Sequence, residues 1–168
     1  MKNLFDISGK VALVTGGSRG IGEMIAAGFL ANGAKVYISS RKAQACDATA
    51  ARLSETYGGT CVSLPANLSN VEGCAQLAGE IAARESQLDI LINNAGRTWG
   101  APLGHFPFEA WEKVMTLNVA GMFHLTQSLL PLLSATATDD NPARVVNTGS
   151  VMGEVPMGDK VYSYAVSK

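Results

Sequence analysis

The sequence predicts an α/β fold, a doubly wound parallel sheet with helices on both of its faces. Short apolar runs alternate with longer segments of helical spacing along the chain, which is the pattern that parallel strands and crossover helices produce. The runs are almost continuously apolar, as strands buried on both faces are. The composition agrees, because 47 % of the 168 residues are hydrophobic and 16 % are charged. We therefore expect a single domain over residues 1–168.

The stretch that organises the chain runs from Val11 to Ala31 and contains a strand, a turn and a helix. Residues 11–14 are a short apolar run that predicts a buried strand. From Gly20 onward, apolar residues recur near helical spacing, which predicts a helix with one mostly apolar face on the sheet. The residues of that predicted face are Ile21, Met24, Ile25, Gly28 and Phe29.

The turn between this strand and this helix reads TGGSRGIG, residues 15–22. Glycines allow a tight turn and let the backbone approach a ligand closely. The helix that follows directs its unpaired N–H groups and the positive end of its dipole at the turn, so a phosphate or pyrophosphate fits there best. A purely structural turn is the alternative, because the glycine spacing differs from the commoner Gly-x-Gly-x-x-Gly dinucleotide pattern.

Further strands and helices alternate after the first helix, which Asn32-Gly33 is suited to stop. Apolar runs predict strands at residues 34–39, 60–64, 88–92 and 144–148. Helical patterns predict helices at residues 42–56, 70–84 and 108–134, the last with breaks near its start and close to Pro131. Polar loops are expected at residues 93–107 and 136–142.

Charge and composition restrict the possible function classes. The net charge of −1 and the lack of basic runs argue against nucleic-acid and anionic-membrane partners. No apolar stretch approaches the roughly 20 residues that span a bilayer. The N-terminal stretch carries Asp6 and has no apolar core, so we expect no secretory signal and a cytoplasmic protein. Three cysteines without a Cys-x-x-Cys pair and two histidines without partners predict reduced thiols and no metal site.

A tyrosine and a lysine near the end of the chain are candidates for proton transfer. On a helix, the spacing of Tyr164 and Lys168 places both side chains on one face, about 5–6 Å apart at Cβ. An ammonium group at that distance favours the tyrosinate form, which suits the pair to general acid–base chemistry. The alternative is a chance pair on a solvated helix.

Together the motifs resemble those of the short-chain dehydrogenase/reductase family. The resemblance rests on the glycine turn, on the tyrosine–lysine pair, on Asn93-Asn94-Ala95-Gly96 and on Asn147-Thr148-Gly149-Ser150. It implies a Rossmann-type, three-layer α/β/α sheet with the strand order 3-2-1-4-5-6-7. By this pattern two strand units would follow Lys168, so we expect the sequence to be part of a longer chain, with a sheet incomplete at its C-terminal edge.

The same resemblance implies a catalytic set of Asn118, Ser150, Tyr164 and Lys168. Tyr164 would protonate the substrate oxygen, and Ser150 would hold that oxygen by a hydrogen bond. Lys168 would also bind the nicotinamide ribose, and Asn118 would anchor a water molecule for proton relay. The alternatives are a turn or helix cap for Ser150 and a surface amide for Asn118.

The residues at the end of the second strand favour NADP(H) as the cofactor. An NAD-binding domain usually carries an acid about 18 residues after Gly22, but residues 39–42 read Ser-Ser-Arg-Lys. Arg41 and Lys42 can hold a 2′-phosphate, and Arg19 in the turn adds a second guanidinium. The alternative is that Arg41 and Lys42 merely begin a solvated helix.

The remaining cofactor contacts follow from the resemblance. Asn67-Leu68 occupies the position where the family usually has an Asp that binds the adenine amino group, and the carbonyl of Asn67 can accept the same bond. The motif Asn93-Asn94-Ala95-Gly96 would line the adenine ribose. The predicted cofactor-binding residues are Gly16, Ser18, Arg19, Gly20, Ile21, Gly22, Ser40, Arg41, Asn67, Leu68, Asn94, Ala95, Gly96, Tyr164 and Lys168.

Within the family, the segments GGSRGIG, DILINNAG, WEKVMTLNV and NPARVVNTGSV look closest to bacterial 3-oxoacyl-[acyl-carrier-protein] reductases of the rhamnolipid-biosynthesis type. This implies NADPH-dependent reduction of a 3-ketoacyl thioester, or a similar ketone, in a homodimer or homotetramer. One alternative is an NADP-dependent dehydrogenase of another secondary alcohol, such as a sugar, steroid or polyol. The other is a cofactor-binding domain without catalysis.

Overall fold

In a computed structural model of the chain, which describes residues 5–155 and 160–168, five strands form one sheet. The strands are β1 (Val11–Thr15), β2 (Lys35–Ser39), β3 (Cys61–Ser63), β4 (Ile90–Asn93) and β5 (Arg144–Asn147). Their order is β3-β2-β1-β4-β5, and every neighbouring pair is parallel. The predicted parallel sheet is confirmed, and its order agrees with the first five positions of 3-2-1-4-5-6-7.

Helices occupy the connections between the strands. They are α1 (Gly20–Ala31), α2 (Ala43–Tyr57), α3 (Val71–Ala82), α4 (Phe108–Met115), α5 (Met122–Ser134) and α6 (Tyr162–Val166). A π-helical segment, Thr116–Gly121, joins α4 directly to α5, and short 3₁₀ turns lie at Leu103–His105 and Val151–Gly153. The predicted helices and strands begin and end within about two residues of the observed ones, which is the usual spread in the assignment of such ends.

Each face of the sheet carries a hydrophobic cluster, which gives the predicted three layers. Alternate residues of β1 point to opposite sides, so Leu13 joins one cluster while Ala12 and Val14 join the other. Apolar residues of α3 and α5 complete the first cluster, and those of α1 and α2 complete the second. The central strands β1 and β4 are therefore buried on both faces, as their unbroken apolar runs indicate, whereas β5 at the edge of the sheet is exposed.

The buried face of α1 is only partly the one predicted, since Ile25 and Phe29 of the predicted face are half-buried and pack against the second cluster. Its buried residues are Gly22, Ala26 and Leu30, whereas Ile21 and Met24 are 58 % and 65 % exposed. A Cβ at Gly22 would clash with the carbonyl oxygen of Gly16, so the helix begins directly against the turn. Small residues permit that close approach, and in this orientation Ile21 and Met24 lie on the exposed side of the helix.

The helix predicted over residues 108–134 is continuous, and its predicted breaks were wrong. Pro131 lies inside α5 on an exposed position, where water can satisfy the carbonyl group that it leaves unpaired. The irregularity is the π-helical segment instead. There Gly121 packs so closely on the backbone of Leu68 that a Cβ would clash with its carbonyl oxygen. The thiol of Cys74 also donates to the carbonyl oxygen of Gly121, at 3.5 Å.

A buried carboxylate joins the beginnings of β1 and β4. Asp89 is 7 % exposed, and its oxygens accept hydrogen bonds from the Val11 amide and the Lys10 ammonium, both at 2.9 Å. Burial favours the protonated carboxyl, but these bonds and a contact from Gln87 outweigh it, so the pKa of Asp89 lies below its ordinary value. Lys10 also donates to Asn141, which fastens the loop before β5 to the same place.

The cysteines are buried and unpaired, as predicted for reduced thiols. They are Cys46, Cys61 and Cys74. Burial raises the pKa of Cys61 to about 12 and also raises the pKa of Cys74, so both thiols stay protonated at neutral pH. Helices able to cross a membrane, by length and apolar character, do not occur in the described parts of the chain. Residues 1–4 of the N-terminal stretch lie outside the described residues.

Candidate active site

The glycine turn adopts a backbone that glycine favours. Gly16 and Gly20 have φ angles of +66° and +59°, in the left-handed region where a side chain is strained. A Cβ at Gly16 would also stand 2.9 Å from Nδ2 of Asn94. The Gly17 amide donates to the carbonyl oxygen of Ser39 at 3.2 Å, which fastens the turn to the end of β2.

Thr15, the last residue of β1, fastens the same turn to the loop after β4. Its Oγ1 accepts hydrogen bonds from the amides of Asn94 and Ala95, each at 3.0 Å. In return, Nδ2 of Asn94 donates to the carbonyl oxygen of Thr15 at 3.0 Å. Thr15 is buried, so these bonds hold the two cofactor-binding motifs of the prediction in one rigid unit.

A cavity of about 590 Å³ opens at the carboxyl ends of β1, β2 and β4, where ligands bind in open α/β sheets. Ten of the predicted cofactor contacts line it, namely Gly16, Ser18, Arg19, Ile21, Ser40, Arg41, Leu68, Asn94, Ala95 and Gly96. Its other lining residues are Ser39, Lys42, Ala45, Ala66 and Leu117. The exposed Ile21, which the packing of α1 leaves free, thus faces a ligand site.

The cavity has the chemistry that a phosphorylated nucleotide requires. Arg19, Arg41 and Lys42 contribute positive charge, and no carboxylate lines the cavity among the described residues. Ser39 is 1 % exposed, and its Oγ has no hydrogen-bond partner in the described parts of the chain. A buried hydroxyl without a partner costs free energy, and a ligand with polar groups would offset that cost. NADP(H) therefore fits these residues.

Five predicted contacts do not line the cavity, among them Tyr164 and Lys168, which are described below. Gly20 and Gly22 shape the turn beneath it. Asn67 is exposed, and its Oδ1 accepts a hydrogen bond from the Ser69 amide at 3.2 Å, so its carbonyl already has a partner. The adenine contact of Asn67 stays a prediction.

The structure brings Tyr164 and Lys168 together on one turn of chain. The Lys168 ammonium lies 5.7 Å from the centre of the Tyr164 ring. It donates a hydrogen bond to the carbonyl oxygen of Thr148, just after β5, at 2.8 Å. Both side chains are half-buried, and burial lowers the pKa of Lys168. The pair thus lies where α6 approaches the end of β5.

Asn118 lies in the π-helical segment and is 3 % exposed, so it is not a surface amide. Its Oδ1 accepts from the Arg97 amide at 2.9 Å, and its Nδ2 donates to the Arg97 carbonyl at 3.0 Å. Nδ2 also donates to the hydroxyl of Ser167 at 2.8 Å. Both amide hydrogens are therefore used. π-helical turns are rare in proteins overall, and those that do occur often lie at functional sites.

Ser150 follows β5 and is half-buried. Its Oγ accepts a hydrogen bond from the Met152 amide at 3.2 Å and so caps the 3₁₀ turn that follows. The hydroxyl hydrogen is not consumed by that bond, so the group can still donate. Ser150 can thus serve as a cap and as a donor to a ligand at once.

Gly96 connects the cavity to the candidate catalytic residues. It lines the cavity, and a Cβ at this position would lie 3.5 Å from Oδ1 of Asn118 and 3.6 Å from Nζ of Lys168. The catalytic candidates themselves do not line the cavity; they stand beyond Gly96. A ligand that extends past Gly96 therefore reaches the ammonium of Lys168.

Asn93, the first residue of the predicted Asn93-Asn94-Ala95-Gly96 motif, supports the sheet. Its Nδ2, buried at the end of β4, donates to Asn147 on β5 at 2.9 Å and to Thr126 on α5 at 3.0 Å. The supporting roles of Thr15, Ser39 and Ser167, described above, were not predicted. A single serine or threonine gives no signal in a sequence, because its partners lie far along the chain. Groups of three or more His, Cys, Asp or Glu that could hold a metal do not occur in residues 5–155 and 160–168.

The chain combines a glycine turn on the first strand, a cavity at the strand ends and a tyrosine–lysine pair beyond it. These are the features of a dinucleotide-binding fold of the Rossmann type. The chain belongs to the short-chain dehydrogenase family, whose sequence model matches residues 10–168. The predicted family is thereby confirmed.

Known proteins of the family resemble the chain closely. The "Rhamnolipids biosynthesis 3-oxoacyl-[acyl-carrier-protein] reductase" of Pseudomonas aeruginosa is 52 % identical over 168 residues, all of this chain and 65 % of that protein. The solved "Pseudomonas aeruginosa RhlG/NADP active-site complex" has a TM-score of 0.94 and 51 % identity, over 99 % of this chain and 64 % of that one. A blue fluorescent protein from a metagenomic library, solved with NADPH, has a TM-score of 0.85 and 31 % identity, over 97 % and 64 %. The chain thus spans less than two thirds of these proteins' lengths.

Proposed function

We propose that the whole protein reduces a 3-ketoacyl thioester, or a similar ketone, to the 3-hydroxy compound with NADPH. The juxtaposition at Gly96 carries this proposal, because one residue borders both the basic cavity and the ammonium of Lys168. The relative from Pseudomonas aeruginosa, which is 52 % identical, is named as a 3-oxoacyl reductase, and this supports the choice of substrate.

The residues that would hold NADPH are those of the cavity. The glycine turn and the first N–H groups of α1 would bind its phosphates. Arg41 and Arg19 would bind the 2′-phosphate, for which guanidinium groups are suited in geometry as well as charge. When bound, the cofactor supplies a hydride to the carbonyl carbon.

The chain's own groups supply the proton and the positioning. The Tyr164 hydroxyl donates its proton to the substrate oxygen, and the Lys168 ammonium stabilises the tyrosinate that remains. Ser150 donates a hydrogen bond to the same oxygen with the hydrogen that its cap leaves free. Both amide hydrogens of the Asn118 side chain already make hydrogen bonds. A water molecule at Asn118 would therefore be held by a carbonyl oxygen of this residue.

We also propose that the whole protein is a homodimer or homotetramer that pairs through the α4–α5 surface. This surface, defined by Phe108, Val119, Phe123 and Leu130, leaves large apolar side chains exposed, Phe123 at 61 %. A row of such residues is unusual on a monomer surface and is typical of an interface. Sedimentation velocity of the whole protein tests this proposal, and a monomer at micromolar concentration would contradict it.

The reaction is tested by the oxidation of NADPH, followed at its nicotinamide absorbance, in the whole protein. We expect turnover of an acetoacetyl thioester to exceed that of sugar, steroid and polyol ketones. A preference for one of those ketones would show that the proposed substrate is wrong, while the proposed NADPH-dependent reduction of a ketone would still hold. NADPH binding without turnover of any ketone would favour a cofactor-binding domain and contradict the proposal.

A further inference from the structure

Ser167 links the candidate catalytic helix to the π-helical segment. Its hydroxyl oxygen accepts a hydrogen bond from Nδ2 of Asn118 at 2.8 Å, across 49 positions of sequence. The same hydroxyl donates to the carbonyl oxygen of Tyr164 at 2.8 Å. One side chain therefore joins Asn118 to the backbone of Tyr164.

We propose that Ser167 is a positioning residue, which fixes Tyr164 and Lys168 relative to the loop that borders the cavity. The expected effect on the reaction rate rests on the proposed function. The link itself rests on the observed hydrogen bonds alone, which run from Arg97 through Asn118 and Ser167 to Tyr164.

Two side chains of this segment hold α6 against other elements of the chain. Lys168 contributes one of these contacts through Thr148, but that lysine is also needed at the reaction site. Ser167 holds the same turn without using a candidate catalytic group.

The opposite end of the link is equally well defined. Asn118 holds both the amide and the carbonyl of Arg97, so its side chain is fixed in a plane. Arg97 directly follows Gly96, which borders the cavity. A displacement of Ser167 would consequently loosen the loop at the cavity as well as the helix that bears Tyr164.

Ser163 provides a matched control on the same helix. It is 0 % exposed, and its Oγ has no hydrogen-bond partner in the part of the chain that the structure describes. Ser163→Ala and Ser167→Ala therefore remove the same atom four positions apart, but only the second removes a link. Loss of an unpartnered hydroxyl is close to neutral or stabilising, whereas loss of a bonded one leaves its partner unsatisfied.

Amide hydrogen exchange tests the link without substrate or cofactor. In the whole protein, Ser167→Ala should reduce the protection of the Arg97 amide about tenfold, because Asn118 loses one of the bonds that hold it. Ser163→Ala should leave that protection as in the wild type. Equal protection of Arg97 in the two variants would overturn the proposal.

Steady-state kinetics then test whether the link positions the reacting groups. We expect Ser167→Ala to lower kcat about tenfold, with KM for NADPH and for the ketone nearly unchanged, because misplacement affects chemistry more than binding. Ser167→Thr, which keeps the hydroxyl, should recover most of the rate, and Ser163→Ala should match the wild type. A kcat in Ser167→Ala equal to that of Ser163→Ala would overturn the positioning role. An inactive wild type would instead contradict the proposed function, and the exchange experiment would still decide the link.

Discussion

Lys168 Nζ donates a hydrogen bond to the carbonyl oxygen of Thr148 at 2.8 Å, and this bond places its ammonium 5.7 Å from the ring of Tyr164. The end of β5 thus positions a charge beside the hydroxyl that would transfer the proton. Burial lowers the pKa of Lys168, since the surroundings disfavour the charged form. The carbonyl of Thr148 offsets part of that cost by accepting a hydrogen bond from the ammonium.

Removal of the Tyr164 hydroxyl should abolish most of the chemistry. We expect Tyr164→Phe to lower kcat by about 10²–10⁴-fold, because the general acid is lost, and to leave NADPH affinity nearly unchanged. The measurement is NADPH oxidation with an acetoacetyl thioester in the whole protein. Tyr162→Phe is the matched control, since Tyr162 lies on the same helix but packs against Phe106. Rates in Tyr164→Phe close to those of the control would refute the role of Tyr164.

The cofactor preference should depend on Arg41. Its guanidinium lines the cavity where no carboxylate stands among the described residues, and a charge-assisted bond to a phosphate contributes about 1.5–3 kcal/mol. We expect Arg41→Ala to weaken NADPH binding about 10- to 100-fold and to leave NADH binding nearly unchanged. Ser40→Asp should reverse the preference by repulsion of the 2′-phosphate. Fluorescence titration with both cofactors measures this. Arg84→Ala, on an arginine paired with Glu80 instead, is the control. Equal affinity of the wild type for NADH and NADPH would contradict the assignment.

The sheet was predictable because its strands are short apolar runs that alternate with helical segments, a pattern that can be recognised without any tertiary information. The same holds for the glycine turn, whose left-handed Gly16 and Gly20 are required by local backbone geometry. The face of α1 was not predictable in this way. Its small Gly22 carries little hydrophobic signal, yet the close packing at this residue decides which side of the helix is buried.

Within the site, the residues of contiguous motifs were predictable and the residues with distant partners were not. Arg41 and Asn94 belong to contiguous motifs, so the sequence brings them to notice and the structure places both at the cavity. Ser167 and Thr15 act through partners 49 and up to 80 positions away, and nothing adjacent to them signals those bonds. The π-helical segment was missed for a similar reason, because the close approach of Gly121 to Leu68 exists only in the folded chain.

The packing at Gly121 should be sensitive to a single methyl group. Gly121→Ala would place a Cβ against the carbonyl oxygen of Leu68, and backbone atoms cannot yield as a side chain can. We expect the free energy of unfolding to fall by about 1–3 kcal/mol or more. Gly28→Ala is the control, because this helical glycine has open space around it, and it should be stabilised by about 0.5–1 kcal/mol. Urea unfolding of both variants measures the difference, and equal shifts would show that the helix can move away from Leu68.

Acid should weaken the fold through Asp89. Burial of this carboxyl raises its pKa, but the bonds from Val11, Lys10 and Gln87 outweigh burial and leave the pKa below its ordinary value. A depressed pKa in the folded state contributes stability that is present above the ordinary value of 3.8 and is lost as the pH falls through the folded pKa.

The corresponding variant is Asp89→Asn, which keeps the shape of the side chain and removes its charge. We expect the free energy of unfolding at pH 7 to fall by about 1–3 kcal/mol, since the Lys10 ammonium loses its ionic partner and the Val11 amide loses a charged acceptor. Below pH 4 the difference from the wild type should shrink, because the wild-type carboxyl then approaches protonation. Asp47→Asn, on an exposed position of α2, should change neither value. Denaturant unfolding of the three proteins from pH 3 to pH 7 measures this, and a difference between wild type and Asp89→Asn that stays constant over the whole range would show that the charge of Asp89 does not stabilise the junction of β1 and β4.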